Sequence, residues 1–419
     1  MKAKSPPPSI LLAFLLPSLC LGQETHRSSP PKVPAWRLWR EDLKQIEEQL
    51  PKLHKNAFFR ISEKDWRTLV KESIERIGPK TDIPHFAAEL LRVCSAIGDG
   101  HTQFAWPQVG FAQAPLSFFS FDDGIFVTAF PEDKPLLKGA KVLSLQGLPI
   151  AEALKRLRPF IPPENEAIFR SQSVHFLSIP SLLQAFGIGD DSKVLRVGIE
   201  AKGKKVEVAL PSIPFRQKPK VPFASSFSKV PAFMGPRKKD YSYSFLQGGR
   251  TLYFIYNRCR NPRAFAKLVA TMRKEIGEKK PSKFILDLRR NGGGSSLVIT
   301  PLFGQLRVNP ILKKAKRYCL ISRRTFSSAL LNATAMKQKY RATLVGEPTG
   351  GKPNHFGEVQ PLRLKNSRLT VYYSTKHFKR VPGDPDSLVP DVKIPLISRE
   401  VFSGKDRALD FCLQDKLQR

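Results

Sequence analysis

The chain has 419 residues, of which 41% are apolar and 25% charged, and 70 Lys and Arg against 36 Asp and Glu give a formal net charge of +34. This length is enough for two or three domains, and the apolar fraction excludes a wholly disordered chain. Five cysteines in a chain of this length are too few for a disulfide scaffold. No apolar run reaches the roughly 20 residues of a spanning helix, so we expect a protein that is not transmembrane.

Residues 1–22 have the pattern of a secretory signal peptide. Lys2 and Lys4 precede a short apolar run that ends in small residues. A lipid anchor through Cys20 is a weaker alternative, and an ordinary N-terminal segment is another. We therefore expect an exported protein, periplasmic or extracellular.

The excess positive charge is spread along the chain rather than gathered in one basic, aromatic-rich stretch. This distribution favours a solvated basic surface, with binding to an anionic surface or another polyanion as the alternative. The chain has no RNA-binding signature and no metal-ligand spacing. We therefore expect no specific nucleic-acid partner, no metal and no cofactor.

Residues 34–106 predict a helical module. Apolar residues spaced three and four apart from Trp36 to Leu53 mark one face of a first helix. A capping box at Ser62 opens a second helix, and a third is expected to start near residue 82. The module ends at the sequence Asp-Gly-His-Thr, residues 99–102.

The remainder of the chain divides into four segments. Residues 107–215 contain short strand patterns, and residues 216–240, with seven Lys or Arg and four Pro, predict an exposed linker or loop. Residues 241–398 alternate strands and helices, which predicts βαβ units, a mainly parallel sheet and two antiparallel closing strands. Residues 399–419 are expected to form a C-terminal helix or tail.

Two segments of the α/β region carry chemistry. In FILDLRRNGGG, residues 284–294, an apolar strand leads into bare backbone N–H groups at a sheet edge, where they could hold an oxyanion or form an ordinary turn. In RTFSSALLNATAM, residues 324–336, Ser327 lies between a strand and a helix. It could be the N-cap of that helix, or a nucleophile whose oxyanion the following N–H group stabilises. A third turn, residues 345–358, offers Lys352 and His355.

Together these segments resemble the tail-specific, C-terminal-processing serine peptidases and their relatives, the tricorn protease core and the interphotoreceptor retinoid-binding protein. The resemblance rests on five motifs in family order: Asp99–Thr102, Asp287–Gly294, Thr325–Ala329, Gly346–Gly351 and Val389–Val392. It implies an α/β catalytic core at residues 241–398, an N-terminal helical cap and a PDZ-like β module at residues 107–215. It also implies a serine endopeptidase that acts on peptides or proteins.

By this resemblance Ser327 is the nucleophile, and the oxyanion hole is formed by backbone N–H groups of Gly293 or Gly294 and of Ser328. One branch of the family has a lysine base 25 residues after the serine, which is Lys352 here. The tricorn-like branch has a histidine base, which corresponds to His101.

In the second arrangement Asp384 is the nearest acidic residue that could complete the relay, and His355 could position substrate. Histidine suits a base near neutrality without a shifted pKa, whereas a lysine base needs apolar burial, so His101 is favoured over Lys352.

The chain departs from the family pattern at two positions. Leu330 stands where the family usually has an acidic residue, and Arg290 adds charge beside the expected oxyanion hole. Leu330 and the open choice between His101 and Lys352 leave a second function possible, a non-catalytic protein that keeps the peptidase fold and binds a ligand or peptide.

Overall fold

The computed structural model describes residues 33–215, 217, 221–235 and 239–415. The predicted signal peptide and Cys20 lie outside these residues. None of the helices in the described ranges is both long and apolar enough to cross a membrane.

Three helices open the described chain, in the region where the sequence predicts a helical module: α1 (Ala35–Leu53), α2 (Glu63–Arg76) and α3 (Ile83–Ala96). Ser62 caps α2 by accepting a hydrogen bond from the Asp65 N–H, as the capping box predicts. Asp82 caps α3 in the same way through the His85 N–H.

A mixed region of short strands and helices follows. Its strands are β1 (Gln103–Phe104), β2 (Ser117–Phe121), β3 (Gly124–Pro131), β4 (Lys141–Leu145), β5 (Leu148–Pro149), β6 (Val194–Ala201), β7 (Lys204–Pro211) and β8 (Phe223–Ser225). Its helices are α4 (Ile150–Leu157), α5 (Glu166–Gln172) and α6 (Pro180–Ala185). Strands β2-β3-β4-β6-β7 form an antiparallel sheet in that order, with β5 paired to β4 and β8 paired to β3.

The second half of the described chain contains the strands of the predicted α/β sheet and those of a separate hairpin. Its strands are β9 (Tyr241–Leu246), β10 (Thr251–Tyr256), β11 (Lys283–Asp287), β12 (Lys316–Ile321) and β13 (Thr343–Gly346), followed by β14 (His355–Arg363), β15 (Thr370–Phe378) and β16 (Val392–Lys393). Its helices are α7 (Pro262–Lys279), α8 (Thr300–Val308), α9 (Pro310–Lys314), α10 (Ser328–Tyr340), α11 (Ser398–Phe402) and α12 (Arg407–Gln414).

The order in this sheet is β16-β13-β12-β11-β10-β9, and all neighbours are parallel except β9 and β10. The mainly parallel arrangement agrees with the sequence prediction. Because the strands are parallel, the turns after β11, β12 and β13 meet at one edge of the sheet.

The two closing strands are in a different place from the one expected. The hairpin β14–β15 does not extend the α/β sheet but forms a separate three-stranded sheet with β1. This sheet packs against α1, and the Lys55 N–H donates to the Ser374 carbonyl. The hairpin therefore connects the α/β region to the N-terminal helices.

The apolar core is divided. Side chains of the N-terminal helices, such as Leu43 and Trp66, share one continuous cluster with Val127 and Leu195 of the antiparallel sheet. A separate cluster lies on one face of the α/β sheet, and α10 packs there. The three N-terminal helices thus bury their apolar faces in one core with the antiparallel sheet, and not in the core of the α/β sheet.

The segment 216–240 is not a free linker over its described part. Strand β8 pairs with β3, and Phe233 and Met234 are buried beside Phe119. Burial of these apolar side chains gives the segment attachment points that its Pro and Lys content does not reveal.

A buried ion network ties the C-terminal helices to the α/β sheet. The Arg289 guanidinium, 4% exposed, contacts Asp287 at 2.6 Å and Asp406 at 2.7 Å. Asp287 also accepts a 2.6 Å hydrogen bond from the Tyr253 hydroxyl. Asp406 caps α12, so one guanidinium links the end of β11 to the last helix.

We expect Asp287→Ala to lower the free energy of unfolding by about 3–5 kcal/mol, because the substitution leaves part of a buried charge without its partner. Chemical denaturation of the wild type and the variant measures this loss. The matched control is Glu63→Ala in the exposed pair with Arg67, where we expect a loss of about 1 kcal/mol or less. Equal losses in the two variants would contradict the assignment of the network.

Candidate active site

The turns that follow β11 and β12 are fastened together at the edge of the sheet. The Ser322 hydroxyl donates to the Arg289 carbonyl at 2.7 Å, and the Thr325 hydroxyl donates to the Leu288 carbonyl at 3.0 Å. The Phe326 N–H donates to the Asn291 carbonyl at 3.1 Å. These bonds join the glycine-rich turn to the turn that carries Ser327.

Gly293 touches Ser327 directly. A Cβ placed on Gly293 would lie 2.6 Å from the Ser327 Cβ and 3.0 Å from its Oγ, so no larger residue fits. Gly293 also has a φ of 111°, a conformation that other residues rarely adopt. Only glycine lets the two predicted segments approach this closely.

Ser327 has a strained backbone with φ 53° and ψ −130°. It precedes α10, but its side chain makes no hydrogen bond to an N–H group of that helix. Its hydroxyl is therefore not an N-cap, which was the alternative that the sequence left open. Strain of this kind is concentrated at functional sites.

The expected oxyanion-hole donors differ in their availability. The Gly293 N–H already donates to the Asn291 side chain at 2.9 Å. Within the described ranges, the N–H groups of Gly294 and Ser328 donate to no acceptor. Ser328 is the first residue of α10, where N–H groups lack partners within the helix.

His101 lies beside the residue that precedes Ser327. Its ring stacks on the Phe326 ring with centroids 4.4 Å apart and also on the His355 ring with centroids 5.4 Å apart. Neither imidazole nitrogen has a hydrogen-bond partner among the described residues. The structure therefore places His101 against Phe326, the residue before Ser327, and His101 makes no hydrogen bond to Ser327.

Asp99 is the acidic residue beside His101. Its Oδ1 lies 3.7 Å from His101 Nδ1, and its Oδ2 accepts from the hydroxyls of Thr102 and Ser374 and contacts His54 Nε2 at 3.1 Å. Burial opposes its charge, but the nearby His101 imidazole and the hydrogen bonds from His54 and Ser374 hold the pKa of Asp99 well below its usual range. The buried carboxylate therefore stays ionised.

The hydrogen bonds of His54 define its tautomer. Its Nδ1 accepts from the Asn56 N–H at 3.0 Å, so the ring proton is on Nε2 and points to Asp99. Sequence analysis did not single out His54, because no motif includes it.

Lys352 and Asp384 contact each other rather than Ser327 and His101. The Lys352 ammonium lies 2.5 Å from Asp384 and 3.6 Å from Asp386. The Asp384 side chain is 67% exposed. The ammonium is thus occupied by an ion pair with two carboxylates, and neither Lys352 nor Asp384 has a contact with Ser327 or His101 among the described residues.

His355 is buried at the start of β14, the first strand of the hairpin. Its Nδ1 contacts the Lys352 carbonyl at 2.9 Å, so this nitrogen is the donor. Burial and then the neighbouring His101 lower the pKa of His355 to about 3. His355 is therefore a neutral imidazole at neutral pH.

Glu164 is a buried carboxylate beside His101 that sequence analysis missed. Its Oε2 accepts from the Gly100 N–H at 2.7 Å and its Oε1 from the Lys352 N–H at 2.9 Å. Burial and then the charge of Asp99 raise its pKa from 4.5 to about 7. Its only sequence signal was an acidic residue within the Pro-rich part of the β module.

The two departures from the family pattern have different surroundings. Leu330 is fully buried and part of the α/β core. Arg290 is partly buried, and burial together with Arg324 lowers its pKa to about 10. No group of three or more His, Cys, Asp or Glu in the described part of the chain could hold a metal ion.

The comparisons with known proteins agree with this geometry. Residues 300–393, which include Ser327, match the model of peptidase family S41. This part of the chain is similar in sequence to the S41 peptidases. The resemblance inferred from the five motifs is thereby confirmed.

Solved structures of similar fold cover most of the chain. Mature CPAF complexed with lactacystin covers 88% of this chain and 95% of its own, with 13% identity and a TM-score of 0.60. Mature CPAF without that compound gives 13% identity and a TM-score of 0.58 over 88% of this chain and 94% of its own. Identities this low show the shared fold alone.

A third solved structure, the photosystem II D1 C-terminal processing protease, has 14% identity and covers 90% of this chain and 99% of its own, with a TM-score of 0.43.

We expect the pH dependence of stability to identify Glu164. Because folding raises its pKa from 4.5 to about 7, its contribution to stability is full below pH 4.5 and is lost as the pH rises to about 7. The difference in unfolding free energy between the wild type and Glu164→Gln should change by about 3 kcal/mol across this range. Denaturant unfolding at several pH values measures it, and a constant difference would contradict the shifted pKa.

Proposed function

We propose that this protein is an exported serine endopeptidase in which Ser327 is the nucleophile. The observation that carries the proposal is the state of Ser327, whose strained backbone holds a hydroxyl that does not cap the helix. That hydroxyl lies against Gly293, and Gly294 and Ser328, the residues that follow Gly293 and Ser327, have backbone N–H groups without an acceptor in the described ranges. Serine peptidases of unrelated folds place a nucleophile and oxyanion donors in this relation.

In the proposed reaction, Ser327 Oγ attacks the carbonyl carbon of a peptide bond while its proton passes to His101. The oxyanion that forms accepts hydrogen bonds from the N–H groups of Gly294 and Ser328. The C–N bond then breaks, and His101 returns the proton to the leaving amine. Water, activated by His101, hydrolyses the acyl-enzyme and restores the free Ser327 hydroxyl.

The surroundings of the two candidate bases favour His101 over Lys352. The Lys352 ammonium is paired with Asp384 and Asp386. His101 lies on Phe326, and its Nδ1 faces the Asp99 carboxylate. We infer that Asp99, rather than Asp384, orients the imidazole and stabilises its positive charge in the transition state.

The substrates of this reaction are peptides or proteins, in agreement with the S41 match. The export of the protein is proposed from the signal-peptide pattern of residues 1–22. The PDZ-like assignment of residues 107–215 is likewise part of the proposal, and this module would hold a peptide segment of the substrate. The excess of basic residues is compatible with an anionic surface or polyanion as a further partner.

One observation favours the second candidate function, a ligand- or peptide-binding protein that keeps the peptidase fold. Neither nitrogen of His101 forms a hydrogen bond within the described part of the chain, so the proton-transfer contact is not made in this structure. A binding protein would have no use for that contact. The two functions differ in whether a Ser327-dependent hydrolysis exists.

We expect the purified protein to cleave an unfolded protein substrate and Ser327→Ala to lose this activity by at least about 10³-fold, as removal of a nucleophile does. The matched control is Ser295→Ala, since Ser295 is an exposed hydroxyl on the neighbouring turn. Peptide release followed by mass spectrometry is the measurement. Equal cleavage by the wild type and Ser327→Ala would contradict the assignment.

We expect His101→Ala to reduce the acylation rate with a chromogenic ester by about 10²-fold or more, the size typical of a general base. Lys352→Ala should retain most of that rate, because the ammonium is held by carboxylates. Stopped-flow measurement of the acylation burst compares the two variants. The reverse order of effects would support a Ser–Lys dyad and overturn the choice of His101.

A further inference from the structure

Glu164 joins two loops that lead to the two imidazoles of the site. One carboxylate oxygen accepts from the Gly100 N–H, immediately before His101. The other accepts from the Lys352 N–H, and the carbonyl of the same Lys352 accepts from His355 Nδ1. The two rings stack on each other with centroids 5.4 Å apart. The carboxylate thus closes a ring of contacts around His101.

The packing around Glu164 leaves no room for a residue larger than glycine at position 100 or position 351. A Cβ on Gly100 would lie 2.0 Å from Glu164 Oε2 and 3.1 Å from the Phe326 ring. A Cβ on Gly351 would lie 2.9 Å from the same ring. Phe326 therefore sits between two glycines, stacks on His101 and directly precedes Ser327. Movement of the Gly100 peptide would change the position of His101 relative to Ser327.

The two hydrogen bonds of Glu164 join three segments that are distant in sequence. Glu164 belongs to the β module, Gly100 to the loop after α3, and Lys352 to the turn after β13. The residue is 4% exposed, so its charge is not there for solubility. A buried carboxylate with no cationic side chain bonded to it is costly and needs a compensating role.

We propose that Glu164 is a positioning residue for the reaction, whose carboxylate fixes the distance between His101 and Ser327 by holding the Gly100 and Lys352 amides together. This inference rests on the proposed function, in which His101 takes the proton of Ser327. Glu164 does not touch the reacting atoms in this scheme. It acts through the backbone on either side of it.

The proposal makes the geometry of the site depend on pH. The charged or titratable groups that face Glu164 are Asp99 and His101 from the loop after α3, while the Lys352 ammonium is directed to Asp384 and Asp386. An ionised carboxylate accepts from both amides, whereas a proton on one oxygen weakens one of these bonds. Since burial raises the pKa of Glu164 to about 7, the clamp forms as the pH rises through neutrality.

The test is the pH profile of kcat and KM for a chromogenic ester between pH 5 and pH 9 in the wild type, Glu164→Gln and the control Glu89→Gln. Glu89 is another buried glutamate, in α3, where it contacts Arg76. The Gln side chain is isosteric but presents an amide N–H to one of the two donors.

We expect Glu164→Gln to lower kcat by about 10-fold or more at pH 8 with little change in KM, because small displacements of a base reduce the rate steeply. The acid limb of its profile should contain one ionisation fewer than that of the wild type. Glu89→Gln should keep the wild-type profile. If Glu164 had a role in stability alone, the two variants would have the same profile.

An unchanged kcat and acid limb in Glu164→Gln would overturn the proposal. If that variant does not fold, the wild-type acid limb decides: two ionisations support the proposal and a single one overturns it. An absence of Ser327-dependent turnover in the wild type would be a failure of the proposed function instead, so the two failures are distinguishable.

Discussion

The contact between Gly293 and Ser327 is the constraint on which the site depends. Two turns at the edge of a parallel sheet approach so closely that a Cβ on Gly293 would collide with the serine side chain. Hydrogen bonds from Ser322, Thr325 and Phe326 hold the turns in this position. The strained backbone of Ser327 persists because these surrounding contacts determine it. Ser327 and the nearby N–H groups thus share one rigid support.

The proposed mechanism also requires that a base reaches this support from another part of the chain. His101 follows α3, whose apolar side chains belong to the core shared with the antiparallel sheet. Ser327 precedes α10, which belongs to the core of the α/β sheet. The site therefore lies where two separately packed regions meet, and local contacts must hold them in register.

Two buried carboxylates at this junction have opposite electrostatic environments. Asp99 receives hydrogen bonds from several side chains, and its pKa is lowered despite burial. Glu164 accepts two hydrogen bonds from backbone N–H groups and lies near the negative charge of Asp99. Burial and this charge raise its pKa. Pairs of acidic groups whose pKa values are driven apart are typical of sites that move protons. In the proposed mechanism, the permanently charged Asp99 supports the imidazole and Glu164 fixes its place.

Sequence reasoning was most successful where a feature is local. The amphipathic helix from Trp36, the capping box at Ser62 and the parallel strands around residues 284–294 follow from periodicity and short-range chemistry. The motif order placed Ser327 beside the glycine-rich turn, as the structure has it.

Features set by distant contacts could not be predicted in the same way. The hairpin β14–β15 has ordinary strand sequences, and strand propensity does not state which sheet a strand joins. Glu164 and His54 lie far in sequence from the residues that they contact, and Asp384 was assigned by analogy alone. The segment 216–240 looked like a linker because its few apolar residues follow no period.

The proposed mechanism requires Ser327 to form a covalent bond with the substrate carbonyl. The most direct measurement is mass spectrometry of the protein after acid quench during turnover of a slowly deacylating ester, followed by peptide mapping. We predict the added acyl mass on the peptide that contains Ser327. Binding of the ester without any added mass, or an acyl group on another residue, would contradict the mechanism.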